Sequence, residues 1–462
     1  MSRLLIEEVG YGDPLPIFTR FAGLPGAIFL DSAVPDGTVG RYSFIAAEPF
    51  LTLQARDGWI EDGKRRFAGD PFAALAERIA RFSVEAEPDL PPFQTGAAGY
   101  LAYDLARHLE RLPAHRIDDQ PMPDLLMGFY DWTIAFDHKA RRAYVLSSGH
   151  PAPSEPEQKS RAAARLAAVR QRMAQPSELP KVNVIALPKQ ETDRRTYEDR
   201  VRRVIDYILA GDIYQANLSQ RFSATLPAGM DPFVIYCALR RRNPAPFAAF
   251  IRHGNIALVS ASPERFLKLR DSRVETRPIK GTRPRGMTPA EDRGLAEMLQ
   301  ASEKDRAENL MIVDLLRNDL SRVCRDRSVE VPVLFGLESF ATVHHLVSVV
   351  TGELSSGKTA IDLLRAAFPG GSITGAPKIR AMEIIAELEP TRRGPYCGSV
   401  GYIGFDGSMD SSIVIRSMAI RGCQLTFQVG GGIVADSDPA AEYEESLTKA
   451  RALIDALSGS PA

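Results

Sequence analysis

Hydrophobic and polar residues form short apolar or alternating runs over the first 150 positions, and proline and glycine separate these runs. The runs at 27–30, 42–45 and 142–146 are examples. This pattern is typical of strands bounded by turns. Residues 1–150 are therefore predicted to form a β-rich N-terminal region.

The pattern changes between residues 151 and 191. Prolines open this segment, and positions 157–173 are then rich in Ala, Arg and Gln at helical spacing. A second proline-bearing stretch follows. We interpret residues 151–191 as a connector that contains one exposed helix.

Helical and strand patterns mix between residues 192 and 457. Helices are expected at 196–210, 378–387 and 439–457, and 289–316 reads as one long helix or two. Strands are expected at 217–224, 256–269, 343–354, 398–405, 410–418 and 425–434. Because strands and helices do not alternate strictly, the chain is predicted to be α+β, with residues 192–457 as its catalytic region.

Composition excludes several classes of protein. The 462 residues carry 57 Lys and Arg against 58 Asp and Glu, so no basic excess indicates a nucleic-acid or membrane-surface partner. The chain has no apolar run long enough to span a bilayer and no signal-peptide pattern at its start. The four cysteines are widely spaced and form no Cys-x-x-Cys pair. A cytoplasmic enzyme is expected.

The segment Pro278-Ile-Lys-Gly-Thr282 contains the most informative lysine. Lys280 precedes Gly281 and Thr282, and glycine allows the backbone to turn tightly beside a ligand. Lys280 is thus a candidate for an amine that attacks a substrate. The alternative is an exposed loop lysine, which is the commoner fate of this residue type.

Two acidic pairs have the same spacing. Asp305 and Glu308 share one face of a predicted helix, and Glu442 and Glu445 repeat that spacing on the last helix. If the two faces met, four carboxylates would need a cation, and oxygen ligands suit Mg²⁺. Solvated acidic faces are the alternative.

A glycine-rich turn at 368–380 leads into a helix and includes Thr374, Gly375, Ala376 and Lys378. Free N–H groups at the helix start favour an anion, although a plain turn is an equal alternative on physical grounds. Gly430, Gly431 and Gly432 follow a predicted strand, and they give a second place where the backbone can come close to a ligand.

Arg416 lies in an otherwise apolar predicted strand and requires an anionic partner, either a ligand or an internal salt bridge. A different motif, at 352–359, fits the phosphate-binding pattern of nucleotide hydrolases. Glu353 would place a negative charge inside that loop. Nucleotide hydrolysis is therefore a remote alternative.

Together these motifs resemble the chorismate-utilising enzymes, over nearly all of the chain and most densely from about 195 to 453. In that family alanine precedes Gly-Thr in anthranilate, isochorismate and salicylate synthases, whereas lysine does so in aminodeoxychorismate synthases. Lys280 makes the chain similar to the latter. The resemblance implies a layered β-sandwich of two sheets flanked by helices. It also implies conversion of chorismate and ammonia to 4-amino-4-deoxychorismate, for para-aminobenzoate and folate.

The resemblance also implies roles for individual residues. Glu308 and Glu445 would bind Mg²⁺ directly, with Asp305 and Glu442 acting through water, and the Gly375–Lys378 turn would help to hold the ring carboxylate. Arg416 and Tyr396 would hold the enolpyruvyl carboxylate, near Lys449. The remaining implied substrate contacts are Gln215, Gly281, Thr282, His345, Thr374, Ala376 and Gly430–Gly432.

In the implied mechanism Lys280 attacks C2 of chorismate while Glu264 donates a proton to the leaving C4 hydroxyl. Mg²⁺ and Arg277 would help to keep Lys280 deprotonated, and a role of Lys280 as a base stays open. Gln215 stands where isochorismate-forming relatives have a lysine base, which disfavours addition of water at C2.

The resemblance leaves two further questions. No cysteine lies in a Gly-x-Cys-x-Gly motif, so ammonia is expected from solution or from a separate glutaminase subunit, component II. Anthranilate synthase component I is the alternative within the family, and it would carry alanine in place of Lys280. Its tryptophan-binding Leu-Glu-Ser segment has a partial match at 29–33, which makes Ser32 a candidate tryptophan contact.

Overall fold

The computed structural model describes residues 3–34, 39–63, 65–114, 117–181, 185–340 and 343–459. Their strands form two twelve-stranded sheets, and neighbouring strands in both sheets run antiparallel. Antiparallel pairing needs no crossover helices between consecutive strands, and this agrees with the predicted α+β class.

The strands, in chain order, are β1 (Leu5–Val9), β2 (Ile28–Asp31), β3 (Tyr42–Ala46), β4 (Leu51–Arg56), β5 (Trp59–Asp62), β6 (Arg65–Ala68), β7 (Gly96–Leu101), β8 (Leu125–Tyr130), β9 (Trp132–Asp137), β10 (Arg142–Ser147), β11 (Lys189–Gln190), β12 (Gln215–Thr225), β13 (Phe247–His253), β14 (Ile256–Ser262), β15 (Arg265–Arg270), β16 (Arg273–Thr276), β17 (Ile279–Pro284), β18 (Glu330–Ser339), β19 (Val343–Glu353), β20 (Gly375–Ala376), β21 (Ser399–Gly404), β22 (Met409–Ile413), β23 (Ser417–Arg421) and β24 (Gln424–Ile433).

The α-helices are α1 (Pro14–Thr19), α2 (Pro71–Ile79), α3 (Glu155–Met173), α4 (Arg194–Leu209), α5 (Pro232–Arg242), α6 (Pro289–Ala301), α7 (Glu303–Ser321), α8 (Ala360–Ala367), α9 (Lys378–Leu388) and α10 (Pro439–Ser458). Short 3₁₀ helices cover Tyr103–His108 and Gly371–Ile373.

Both sheets combine strands from the two ends of the chain. The first has the order β1-β10-β9-β3-β2-β13-β14-β23-β24-β12-β11, with β20 also on β12. The second has the order β17-β19-β16-β15-β22-β21-β7-β8-β4-β5-β6, with β18 also on β19. The boundaries at residues 150 and 191 stay predictions. Strands from before and after these boundaries share both sheets.

The sheets pack face to face with helices on their outer faces. One apolar cluster, which includes Phe44, Tyr100, Leu258 and Tyr402, joins residues of both sheets and fills the space between them. Helices α3, α4, α5, α9 and α10 pack on the first sheet, and α6 and α7 pack on the second. This is the layered β-sandwich with flanking helices that the resemblance implies.

Three predicted elements are divided in the structure. The expected strand at 256–269 is β14 and β15, and the expected strand at 410–418 is β22 and β23. Each pair belongs to different sheets, because the chain crosses between sheets at Pro263 and near Arg416, whose φ is +51°. The long helical pattern at 289–316 is two helices, α6 and α7, separated by Ser302.

Two general expectations concern membranes and cysteines. Among the described residues, no helix is long and apolar enough to cross a membrane. The four cysteines are free thiols, and Cys423 alone is exposed. The burial of the other three agrees with the expectation of packed thiols.

Candidate active site

The site lies where the chain crosses between the sheets at two adjacent points. One crossing, between β14 and β15, carries Glu264, and the other, between β22 and β23, carries Arg416. Because β14 pairs with β23 and β15 pairs with β22, the crossings are neighbours. The Ile413 N–H donates to the Glu264 carbonyl at 3.0 Å, and the Ala261 N–H donates to the Arg416 carbonyl at 3.1 Å. Both charged side chains are thereby brought to one end of the interface.

Lys280 and Glu264 are connected through one serine. The Lys280 ammonium donates to the Ser372 carbonyl at 3.3 Å, and the Ser372 hydroxyl donates to Glu264 Oε1 at 2.6 Å. Ser372 is a residue that the sequence analysis missed. It lies in the glycine-rich turn, and no sequence pattern there indicates that its hydroxyl contacts Glu264.

Burial shifts both ionisable groups toward their neutral forms. It raises the pKa of Glu264 to about 7, against the opposing effects of Ser372 and Lys280. It also lowers the pKa of Lys280, with help from Lys449 and against the attraction of Glu308. A neutral amine can attack an electrophile and a neutral carboxyl can donate a proton, so the pair is suited to covalent and acid catalysis.

Arg277, expected to help Lys280 lose its proton, is not among the largest contributors to the pKa shift of Lys280. Its guanidinium is bonded to Glu338. A cation paired with a carboxylate has little net field at a distance, whereas Lys449 contributes directly. The expected role of Arg277 stays a prediction.

Gln215 lies at the start of β12, fully buried against the β24 glycines. Neither polar atom of its side chain has a hydrogen-bond partner among the described residues. A Cβ added to Gly432 would lie 2.2 Å from Gln215 Nε2 and 3.5 Å from Lys280 Nζ, so glycine keeps this space open. Buried amide groups normally find partners, and this one therefore indicates a place for a polar ligand.

The other glycines of β24 have different surroundings. A Cβ at Gly431 would lie 3.1 Å from Glu442 Oε2, and a Cβ at Gly430 would lie 2.0 Å from the Leu218 carbonyl. Gly430 thus allows strand pairing, while Gly431 borders the acids of α10. Lys449 donates to the Gly430 carbonyl at 2.9 Å.

His345 and Arg416 lie together on one side of the site. His345 Nδ1 is 2.9 Å from Thr282 Oγ1, beside Gly281, whose φ is +77°. Burial and the charge of Arg416 lower the pKa of His345 to about 4, so this imidazole is neutral near pH 7. Burial also lowers the pKa of Arg416, and no charged group of the described residues offsets that shift. The guanidinium is available to an anion.

The four predicted metal-binding acids lie on α7 and α10. Glu445 pairs with Lys449 at 2.7 Å and Asp305 pairs with Arg283 at 3.0 Å, while the Ser437 hydroxyl donates to Glu442. Burial raises the pKa of Glu308, and the charges of Asp305 and Glu445 add to this shift. The acids therefore act on one another electrostatically, as carboxylates around one volume do.

These acids do not form a closed metal cage. Within the described ranges, no group of three or more His, Cys, Asp or Glu side chains has the arrangement that holds a metal ion. The donor set is nevertheless made of oxygens alone, which suits a hard cation that keeps several waters.

The glycine-rich turn is attached to the edge of β12. The Thr374 carbonyl accepts from the Asn217 N–H at 2.8 Å, and β20 places Gly375 and Ala376 in register with Ala216 and Gln215. Lys378 turns away from the other predicted residues. Its ammonium donates to Asp319 at 2.6 Å and to the Ala367 carbonyl at 2.9 Å. A direct contact of Lys378 with substrate stays a prediction.

Tyr396 lies just before β21 and is buried. The Arg393 guanidinium is 5.7 Å from the centre of its ring, and burial raises the pKa of its hydroxyl well above the usual range. Tyr396 is therefore a neutral hydroxyl donor at ordinary pH. A hydroxyl donor of this kind is a suitable partner for a carboxylate.

Ser32 lies outside this site, at a separate cavity of about 230 Å³ between the sheets. Its hydroxyl is within hydrogen-bond distance of the carbonyls of Tyr42, at 2.7 Å, and Pro246, at 3.1 Å. Arg265, which lines the same cavity, directly follows Glu264 in sequence.

The segment at 352–359 connects β19 to α8 through an exposed turn. The partners of β19 are β16, β17 and β18, all antiparallel to it. Thr359 and Asp362 form a capping box at the start of α8. A phosphate-binding loop normally follows a strand of a parallel sheet, so the match at Lys358 is explained as a turn and helix cap.

Comparisons with known proteins agree with this geometry. The family model described as "chorismate binding enzyme" matches residues 30–455. Aminodeoxychorismate synthase component 1 of Klebsiella aerogenes is 43% identical over 448 residues, which is 95% of each chain. Anthranilate synthase component 1 of Thermus thermophilus is 43% identical over 450 residues, 96% of this chain and 95% of the relative.

A solved structure gives the same result for the fold. Anthranilate synthase component I from Streptococcus pneumoniae TIGR4 superposes with a TM-score of 0.80 at 34% identity, covering 90% of this chain and 92% of that one. The predicted fold and the resemblance stated from sequence are thus confirmed, and the chain belongs to the chorismate binding enzyme family.

Proposed function

We propose that this chain converts chorismate and ammonia to 4-amino-4-deoxychorismate, the reaction named in its relatives of the aminodeoxychorismate synthase component 1 type. The observation that carries this proposal is the amine of Lys280, joined through Ser372 to the carboxyl of Glu264. Relatives of both activities are equally similar, at 43% identity to the Klebsiella and Thermus proteins. The choice therefore rests on Lys280 rather than on global similarity.

Substrate binding uses the buried polar groups of the site. Arg416 and the Tyr396 hydroxyl hold the enolpyruvyl carboxylate, and the buried amide of Gln215 meets a polar group of the substrate. The glycines of β24 and the Thr374–Ala376 turn allow the ring to approach the backbone. His345, neutral because burial lowers its pKa to about 4, offers a hydrogen bond without adding charge.

The reaction proceeds by two displacements in opposite directions. The neutral amine of Lys280 attacks C2, the two ring double bonds shift from C1–C2 and C5–C6 to C1–C6 and C4–C5, and the C4–oxygen bond breaks. The hydroxyl leaves as water with a proton from Glu264, and the proton lost by the attacking amine returns to that carboxylate. Ammonia then attacks C4, both double bonds shift back and the C2–nitrogen bond breaks. The lysine nitrogen leaves with a proton from Glu264, and the proton that the attacking ammonia loses returns to that carboxylate. Chorismate and ammonia thus give 4-amino-4-deoxychorismate and water.

The four acids of α7 and α10 are proposed to hold Mg²⁺, with Glu308 and Glu445 as direct ligands and Asp305 and Glu442 acting through water. The bound ion supplies positive charge for the ring carboxylate of chorismate. In the structure Lys449 forms a salt bridge with Glu445 at 2.7 Å, and Arg283 forms one with Asp305 at 3.0 Å. Removal of Mg²⁺ by a chelator, followed by its return, is expected to abolish and then restore turnover.

Ammonia is proposed to come from a separate glutaminase, since a component 1 relative implies a second component. The chain also works with dissolved ammonium in this proposal, as a cytoplasmic enzyme of folate biosynthesis. Stimulation of glutamine-dependent turnover by a co-expressed component II tests the partner.

The cavity that contains Ser32 is proposed as a tryptophan site. Its lining combines aromatic side chains such as Phe247 with charged groups, among them Asp31 and Arg265, which suit an aromatic amino acid. Calorimetric titration of the purified chain with tryptophan, against a Ser32→Trp variant that fills the cavity, tests this assignment.

Mass spectrometry of the products tests the activity. Purified chain is supplied with chorismate, Mg²⁺ and ammonium, beside the Lys280→Ala variant. Aminodeoxychorismate from the wild type, lost in the variant, supports the proposal. Anthranilate and pyruvate would move the chain to the alternative function, and unchanged chorismate would contradict both.

A further inference from the structure

A second buried acid–base pair, Arg393 with Glu389, lies beside the site and has no part in the proposed chemistry. Arg393 is 2% exposed and Glu389 is 3% exposed. The guanidinium donates to both carboxylate oxygens, from Nε at 2.8 Å and from Nη2 at 2.7 Å. Such a two-bond contact fixes the plane of the guanidinium.

The rest of the guanidinium holds two backbone segments together. Nη1 donates to the Ile373 carbonyl at 3.1 Å, and Nη2 donates to the Asn217 carbonyl at 2.5 Å. Ile373 belongs to the glycine-rich turn, and Asn217 belongs to β12. The next residue of the turn, Thr374, accepts from the Asn217 N–H, so the two segments are joined twice at one point.

The turn carbonyls make the connection to the reacting amine. The Ser372 carbonyl accepts from Lys280, and the adjacent Ile373 carbonyl accepts from Arg393. A shift of the Ile373 peptide would move the Ser372 group that contacts both Lys280 and Glu264. Lost placement of about 1 Å can cost roughly 10²-fold in rate.

The faces of the same guanidinium contact two tyrosines. Its carbon lies 4.6 Å from the ring centre of Tyr103 and 5.7 Å from that of Tyr396. Glu389 is fixed in turn, because it accepts from both the N–H and the hydroxyl of Ser219. The pair therefore sets the position of the proposed carboxylate-binding Tyr396 as well as that of the turn.

We propose that Arg393, held by Glu389, is a positioning residue that orients Tyr396 and the Ser372–Thr374 backbone for chorismate. This inference rests on the proposed amination of chorismate. A lysine at the same place can keep the charge and one contact. It cannot make a planar fork to Glu389, reach both carbonyls and stack on two rings.

The test compares Arg393→Lys with Arg78→Lys, a matched variant of another buried pair. Arg78 is 6% exposed and donates to Asp62 at 2.8 Å on the outer helical layer. We expect kcat/KM for chorismate to fall about 10- to 10²-fold in Arg393→Lys, with the KM for ammonium unchanged. Arg78→Lys is expected to lower the melting temperature and leave both constants unchanged.

A second variant guards against misfolding of Arg393→Lys. Tyr103→Leu removes one stacking face and keeps the ion pair, whereas Tyr103→Phe keeps the ring. Raised KM for chorismate in the leucine variant alone supports the inference. Unchanged chorismate constants in folded Arg393→Lys, or in Tyr103→Leu, would overturn it, and an inactive wild type would instead overturn the proposed function.

Discussion

Two buried acid–base pairs contact consecutive carbonyls of one turn, and they are built in opposite ways. Arg393 and Glu389 bond directly, and the pair also bonds to backbone groups and to Ser219. Lys280 and Glu264 each hydrogen-bond to Ser372, and their charges also act on one another. Burial raises the pKa of Glu264 to about 7 and lowers that of Lys280, whereas the pKa of Arg393 is raised by Glu389 despite its burial.

This difference separates a pair that holds structure from a pair that can react. Charges that are buried and fully bonded keep their ionised forms and fix their surroundings. Groups that are buried with few bonds approach neutrality, which gives a nucleophilic amine and a proton donor. Near neighbours in one fold can thus differ in function because of hydrogen bonding rather than residue type.

The largest effect is expected from Lys280→Met, which keeps most of the side-chain volume and tests whether Lys280 is a reactive group rather than a structural one. Loss of the nucleophile is expected to lower kcat by roughly 10⁴-fold or more. Stability should not fall when Mg²⁺ is present, because Glu264 can stay protonated without an internal cation. Urea unfolding with activity measurements checks both points, and a large loss of stability would mean that Lys280 is a structural cation.

Glu264→Gln tests the acid half of the reactive pair. Activity of the wild type should fall as pH rises through about 7, where the carboxyl loses the proton that it donates. Glutamine cannot donate that proton, so kcat should fall about 10²- to 10⁴-fold and the alkaline limb should disappear. A pH profile of kcat/KM decides, and an alkaline limb that persists in the variant would assign the titration to another group.

Glu389→Gln tests the Arg393–Glu389 pair by the same Glu-to-Gln replacement as at Glu264. It leaves the Arg393 charge buried without its carboxylate and should cost about 3–5 kcal/mol of unfolding free energy. Glu353→Gln is the control, since Glu353 pairs with Arg325 at the surface and should cost about 1 kcal/mol or less. Equal losses in urea unfolding would remove the distinction between the pairs.

Ser372→Ala has the smallest expected effect, and it tests the hydroxyl through which Ser372 contacts Glu264. The hydroxyl lowers the pKa of Glu264, so its removal should shift the alkaline limb to higher pH. Loss of one hydrogen bond should lower kcat roughly tenfold. Ser147→Ala deletes another buried hydroxyl, bonded to the Asp131 carbonyl, and should leave the limb in place.

The sequence by itself determined the family and the fold class, because short motifs with special backbone needs identify them. Three such motifs can be recognised from the sequence alone: the glycine before Thr282, the Gly375–Lys378 segment and the paired acids. Several of the elements that it predicted, among them α3, β12, β19 and α10, end within a few residues of their predicted bounds.

Only the tertiary structure decided where the chain crosses between the sheets. An apolar run at 256–269 has the same local pattern whether it stays in one sheet or changes to another, and the same is true of 410–418. The crossings place Glu264 and Arg416 side by side, although 152 positions separate their numbers, 264 and 416. Local periodicity cannot report such pairing.

The hydrogen-bond partners were likewise decided by packing. Nothing in the sequence distinguishes Ser372, which bridges the reactive pair, from a turn serine, or Arg393 from an exposed arginine. The motif likewise does not show that the Lys378 ammonium is bonded to Asp319, and its predicted contact with substrate stays a prediction. Residue type and spacing determine which contacts are chemically possible, and the packed fold selects among them, since burial leaves each polar group few partners.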